Sequence, residues 1–62
     1  METIKRYNKH QEEIKSKIDL LTEKLKKHKT QFENNTSNWG FVGDIEYINN
    51  YINEIINFIN VD

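Results

Sequence analysis

Apolar residues recur along the first half of the chain at alternating spacings of three and four. The series, including two polar members, is Ile4, Tyr7, Gln11, Ile14, Ile18, Leu21, Leu25, His28 and Phe32. This spacing places the side chains on one face of an α-helix, whereas a β-strand has a period of two. Neither Gly nor Pro occurs between residues 2 and 34. We therefore predict a long helix over residues 2–34, ended by Asn34 and Asn35 in the left-handed conformation.

A second series with the same spacing lies near the C-terminus. Its members are Ile45, Ile48, Ile52, Ile55 and Ile59. Asp44 precedes the series and is a residue type favoured at the N-cap. We predict a second helix over about residues 45–60, joined to the first by a loop over residues 35–43. Tyr47, Tyr51 and Phe58 lie beside the isoleucines and make the apolar face wider than one neighbouring helix requires.

The predicted loop contains three large apolar residues, Trp39, Phe41 and Val42, among turn-forming residues. Its two glycines, Gly40 and Gly43, are expected to adopt unusual backbone angles. One interpretation is that the three side chains fold back and plug the end of the helical core. The other is that they form an exposed anchor for a partner, since Trp is enriched at interface hot spots.

The two predicted helices differ in length, which leaves part of the first helix uncovered in an antiparallel hairpin. Burying such apolar side chains stabilises an assembly by about 1.5–3 kcal/mol each. We predict an all-α fold: a single domain over residues 1–62, an antiparallel helical hairpin that dimerises into a four-helix bundle. Trimers and tetramers stay open, because isoleucine-rich series do not select strictly for dimers. The predicted dimer seam is Ile4, Tyr7, Gln11, Ile14, Ile18 and Leu21.

Charge is divided unequally along the chain. All nine Lys and Arg residues lie before residue 30, and residues 1–33 sum to +3. Residues 34–62 contain four acids and no Lys or Arg, which gives −4 and a net charge of −1. A generic nucleic-acid binder is more often basic overall. No apolar run approaches the roughly 18 residues of a membrane span, and the first residues do not form a signal peptide, so we expect a cytoplasmic protein.

Residues suited to catalysis or metal binding are few. His10 and Glu13 form one pair at helical spacing, but a metal site needs three or four ligands. Ser16 and Ser37 have no base at a recognisable spacing. The chain has no Cys and therefore no thiolate. We expect no enzymatic activity, no cofactor, no metal and no small-molecule substrate.

In length and topology, the predicted dimer of helical hairpins resembles the Rop-like proteins. These are small plasmid-encoded hairpins that dimerise into four-helix bundles and bind paired RNA loops. The resemblance implies a four-helix bundle and an RNA partner. It rests on no shared motif, so it assigns no RNA-contacting residue.

Three functions are compatible with the sequence. The first is a regulatory protein of a phage or plasmid that binds and inhibits, or bridges, a larger host protein. Its candidate contact residues are Trp39, Phe41, Tyr47, Tyr51 and Phe58. The second is RNA or DNA binding through a basic face of the first helix. That face would consist of Lys5, Arg6, Lys9, Lys17, Lys24 and Lys27. The third is a purely structural oligomerisation module.

Overall fold

A computed structural model of the protein describes residues 1–59, which form two α-helices, α1 (Glu2–Glu33) and α2 (Trp39–Phe58). These residues include no β-strand, so the prediction of an all-α chain with two helices is confirmed. The chain divides into two compact units, Met1–Gln31 and a second unit that begins at Phe32.

The first helix, α1, ends one residue earlier than predicted. It has 32 residues and is about 48 Å long at 1.5 Å per residue. Glu2 in its first turn pairs with Arg6 at 2.9 Å, one turn later. An acid at this end interacts favourably with the helix dipole, and the pair has the i, i+4 spacing that supports exposed helices.

The second helix, α2, begins six residues before the predicted start. Its N-cap is Asn38, which has extended backbone angles (φ −89°, ψ 103°) and whose side chain accepts a hydrogen bond from the N–H of Gly40. The prediction of Asp44 as N-cap is therefore wrong, since Asp44 lies inside the helix. The predicted loop over residues 35–43 shortens to residues 34–38. Asn60, the predicted end of the helix, lies outside the described residues.

Two predictions about backbone conformation are wrong. Gly40 and Gly43 are helical rather than parts of a loop, and neither has a positive φ. Asn34 and Asn35 do not adopt the left-handed conformation, because no residue in the described part of the chain has a positive φ. The chain leaves α1 through a turn in which the N–H of Asn35 donates to the carbonyl of Phe32 at 2.9 Å. This turn needs no left-handed residue.

No side chain among residues 1–59 is fully buried in the single chain. The half-buried apolar residues of α1 belong to its C-terminal half, and those of α2 belong mainly to its isoleucine face. They are Leu21, Leu25, Phe32, Phe41, Val42, Ile48 and Ile52. A folded protein normally removes much of its apolar surface from water. The exposed apolar area of this chain is therefore large for a folded protein.

Candidate protein-binding surface

Three of the five predicted contact residues form one stripe along α2, which we call the aromatic ridge: Tyr47, Tyr51 and Phe58. At about 100° per residue their directions around the helix axis fall within about 40°. The ridge lies beside the isoleucine face of α2 rather than within it. Phe58 is 92% exposed, Tyr47 60% and Tyr51 49%. Aromatic residues are enriched at protein interfaces and at their hot spots, and here three of them are exposed on one stripe.

The two tyrosines of the ridge hold each other in place. Their ring centroids lie 4.6 Å apart with an angle of 83° between the ring planes, an edge-to-face arrangement. The hydroxyl of Tyr47 donates a 2.7 Å hydrogen bond to the hydroxyl oxygen of Tyr51. Edge-to-face pairs are favourable because the positive ring edge meets the negative ring face. The ring contact and the hydrogen bond together restrict the rotamers of both side chains.

The hydrogen bond between the two tyrosine hydroxyls also changes the pKa of Tyr47. Donation to Tyr51 stabilises the neutral phenol and, together with a smaller effect of desolvation, raises the pKa of Tyr47 above its usual value of 10.0. Tyr51 accepts this bond, and a phenolic hydroxyl can both accept and donate, so its own O–H can donate to another acceptor. The ridge therefore offers one hydroxyl donor that is not used within the pair.

A shallow concavity beside the tyrosines includes two residues that were not predicted from the sequence. It is lined by Tyr47, Asn50, Tyr51 and Glu54. Asn50 and Glu54 each follow one of the tyrosines by three residues, and this i, i+3 spacing is the signal that could have identified them. Glu54 adds a carboxylate next to the phenol rings, so the concavity suits a cationic or hydrogen-bond-donating group.

The other two predicted contact residues lie on different faces of α2. Trp39 is the first residue of the helix and is 80% exposed, so it does not plug a core. Its direction differs from that of the ridge by about 80–120°. Phe41 lies four residues before Ile45, on the isoleucine face, and is half-buried. The predicted set therefore divides into a continuous ridge, an isolated tryptophan and a packed phenylalanine.

Phe41 makes an aromatic contact with Phe32. The ring centroids lie 6.4 Å apart, with 75° between the ring planes. Such pairs contribute about 0.5–1.5 kcal/mol beyond the burial of area. The contact joins the last turn of α1 to the first turn of α2, so Phe41 has a structural role at the start of the second helix.

The six candidate nucleic-acid contacts share one broad face of α1 but are interrupted by other groups. Because α1 is continuous, Lys5, Arg6, Lys9, Lys17, Lys24 and Lys27 fall within an arc of about 120° on the face away from the apolar series. Glu2 lies in the same arc and engages Arg6 in an ion pair. Glu13 and Leu20 lie there as well. This mixture is typical of a solvated helix face.

The predicted dimer seam lies on the opposite face of α1 and is largely exposed. Ile4, Tyr7, Ile14 and Ile18 are each more than half exposed. Leu21, at the C-terminal end of the predicted seam, is half-buried. Gln11 donates a 2.9 Å hydrogen bond from Nε2 to the hydroxyl of Tyr7. Gln11, the polar member of the seam, is therefore oriented by the hydroxyl of Tyr7, one turn away.

Other chemistry at the surface is sparse in the part of the chain that the structure describes. His10 Nδ1 lies 3.6 Å from a carboxylate oxygen of Glu13. Across residues 1–59 no group of three or more His, Cys, Asp or Glu residues could hold a metal ion. Neither α1 nor α2 is long and apolar enough to cross a membrane.

No protein-family model, no curated protein and no solved structure matches the chain.

Proposed function

We propose that this chain is a small, non-enzymatic regulatory protein that binds a larger host protein through the aromatic ridge of α2. The single observation that carries the proposal is the ordered pair Tyr47–Tyr51, joined at 2.7 Å between hydroxyls and exposed to solvent. A pair held in place on an exposed surface has the features of a binding anchor. We expect the chain to inhibit or bridge the host protein in the cytoplasm of a cell that carries a phage or plasmid.

The charge of the second half of the chain supports a partner of complementary charge. Residues 34–62 carry four acids and no Lys or Arg. Glu54 lines the concavity beside the tyrosines. Arg and Lys stack favourably on the faces of aromatic rings and pair with carboxylates. The partner surface that suits the ridge is therefore apolar with one or more cations.

We also propose that the chain acts as a homodimer through the exposed seam of α1. Four large side chains of that seam are more than half exposed in the single chain, and pairing removes them from water. Each copy supplies two helices, so a four-helix bundle is the assembly we propose. The seam lies on α1 and the ridge on α2.

The proposal is tested by affinity capture from the host lysate, with and without nuclease. The tagged wild-type chain should retain a stoichiometric protein that survives nuclease treatment. Replacing Tyr47 and Tyr51 together by alanine should abolish its capture while the helical circular dichroism is unchanged. Ile56→Ala is the matched control, because Ile56 is similarly exposed but lies on another face of α2. Capture that persists in the double variant would contradict the role of the ridge.

The comparison of samples with and without nuclease distinguishes a nucleic-acid partner from a protein partner. Nucleic acid that is retained without nuclease and lost with it would indicate binding through the basic face of α1. Because phosphate contacts release counterions, that binding would weaken steeply as salt concentration rises. The mixed charges of that face make this outcome the less expected one.

A further inference from the structure

The apolar series of α1 divides into an exposed part and a half-buried part. The residues that are more than half exposed lie near the N-terminus: Ile4, Tyr7, Ile14 and Ile18. The later members are half-buried: Leu21, Leu25, His28 and Phe32. The stretch from Ile4 to Leu21, the first half-buried member, is about 26 Å long. Any pairing of α1 should use this stretch first, because it offers the most apolar surface.

We infer that this stretch binds the same stretch of a second copy, antiparallel, with the twofold axis between Glu12 and Glu13. This inference rests on the dimerisation proposed above and specifies its register. All six residues of the predicted seam are then matched. Ile4 faces Leu21 of the second copy, Tyr7 faces Ile18, and Gln11 faces Ile14.

Charge separates this register from those shifted toward the C-terminus. In the inferred register the residues beside the seam pair Asn8 with Lys15, His10 with Lys17, and Thr3 with Lys24 of the second copy. No lysine faces a lysine. Charges at these flanking positions set the orientation of paired helices, and like charges facing each other are unfavourable.

The shifted registers each create facing lysines. With the twofold axis at Ser16, Lys15 faces Lys15 of the second copy, and Lys17 faces Lys17. With the axis between Asp19 and Leu20, Lys17 faces Lys24 twice. A parallel pairing in register brings Lys24 opposite Lys29 twice. The inferred register avoids all of these contacts.

Gln11 provides a second reason for the same register. Its Nε2 is bonded to the hydroxyl of Tyr7 at 2.9 Å, which directs the amide along the seam and leaves Oε1 as an acceptor. In the inferred register the two Gln11 side chains start only about 5 Å apart along the helix axis. The amide group of each Gln11 can then hydrogen-bond to Oε1 of the other across the twofold axis. A single polar residue inside an apolar seam is a known determinant of register.

Sedimentation equilibrium of the full chain over a range of concentrations tests the association. Two variants are matched, because Ile18 and Leu20 have the same exposed fraction, 56%, but only Ile18 lies on the seam. Ile18→Lys should weaken the dimer by more than about 100-fold, since two apolar side chains are lost per dimer. Leu20→Lys should change the dissociation constant by less than about twofold. Equal effects of the two variants would overturn the use of this face.

The register is tested by distances between spin labels, which is convenient because the chain has no native Cys. Lys5→Cys and Lys27→Cys are labelled in separate samples. Separations along the helix axis should be about 22 Å for the Lys5 site and about 44 Å for the Lys27 site. With an axis at Ser16, the two separations along the helix axis would be equal. With an axis between Asp19 and Leu20, the Lys5 site would have the longer separation. A parallel pairing would bring both separations near zero.

The outcomes separate the two levels of the inference. A monomer at all concentrations, with the helical circular dichroism of a folded chain, would overturn dimerisation and register together. A dimer whose label distances are equal, reversed or both short would overturn the register alone. Neither result bears on partner capture by the ridge of α2.

Discussion

The side-chain oxygen Oδ1 of Asn38 accepts a 2.9 Å hydrogen bond from the backbone N–H of Gly40, and this bond marks the start of α2. The first N–H groups of a helix have no partner within the helix, so a side chain that accepts from one of them stabilises the helix end. The carbonyl of Asn38 also accepts from the N–H of Phe41 at 3.3 Å. One asparagine therefore determines where the second helix begins.

Replacing Asn38 by alanine should destabilise α2. Loss of the cap is expected to lower the free energy of unfolding by about 1 kcal/mol. Asn38→Asp should keep most of the stability, because a carboxylate also accepts from the N–H groups of the first turn. Thermal unfolding followed by circular dichroism measures both variants. Equal stability of the alanine variant and the wild-type chain would show that this bond contributes nothing.

The two glycines of α2 should respond differently to alanine. A Cβ at Gly43 would have nothing within 4 Å, so Gly43→Ala is expected to stabilise the helix by roughly 1 kcal/mol through its higher helix propensity. A Cβ at Gly40 would lie 3.0 Å from Oδ1 of Asn38, the capping atom. Gly40→Ala should therefore gain less stability or lose some. Denaturant unfolding of the two single variants gives the comparison, and equal gains would contradict it.

The aromatic contact between Phe32 and Phe41 should couple the two residues energetically. A double-mutant cycle with alanine at each position is expected to give a coupling free energy of about 0.5–1.5 kcal/mol. Phe41→Ala alone should cost more than the coupling, because the half-buried ring also loses its other packing. If the two single effects simply add, the edge-to-face contact has no energetic role.

Replacing Tyr51 by phenylalanine should lower the pKa of Tyr47 toward 10.0, because the acceptor that stabilises its neutral form is removed. In the wild-type chain the folded pKa lies above the unfolded value. The stabilisation from this bond is therefore complete below pH 10 and is lost as the pH rises through the folded pKa. Titration of tyrosinate absorbance measures the shift. Tyr7→Phe is the control, since it removes a phenol from α1 and leaves the pair on α2 intact.

The first helix was predictable because its signals are local. The unbroken spacing of apolar residues from Ile4 to Phe32 and the lack of Gly and Pro place α1 within one residue of its observed end. The second helix was predictable in existence but not in its start. Phe41 lies four residues before Ile45 and continues the same spacing, but Gly40 and Gly43 favour a loop by their intrinsic propensities. The capping bond of Asn38 and the ring contact of Phe41 outweigh those propensities.

The candidate binding residues show the same division. The stripe of Tyr47, Tyr51 and Phe58 follows from helical spacing, so the sequence by itself determined the ridge once that segment was recognised as a helix. The separation of Trp39 and Phe41 from the ridge depended on the earlier start of α2, because moving a residue from a loop into a helix sets its direction. The hydroxyl bond and ring angle of the tyrosine pair were decided only in three dimensions, since spacing brings two side chains together but does not select their rotamers. Periodicity is a property of the chain alone, whereas caps, ring contacts and hydroxyl bonds depend on which atoms meet.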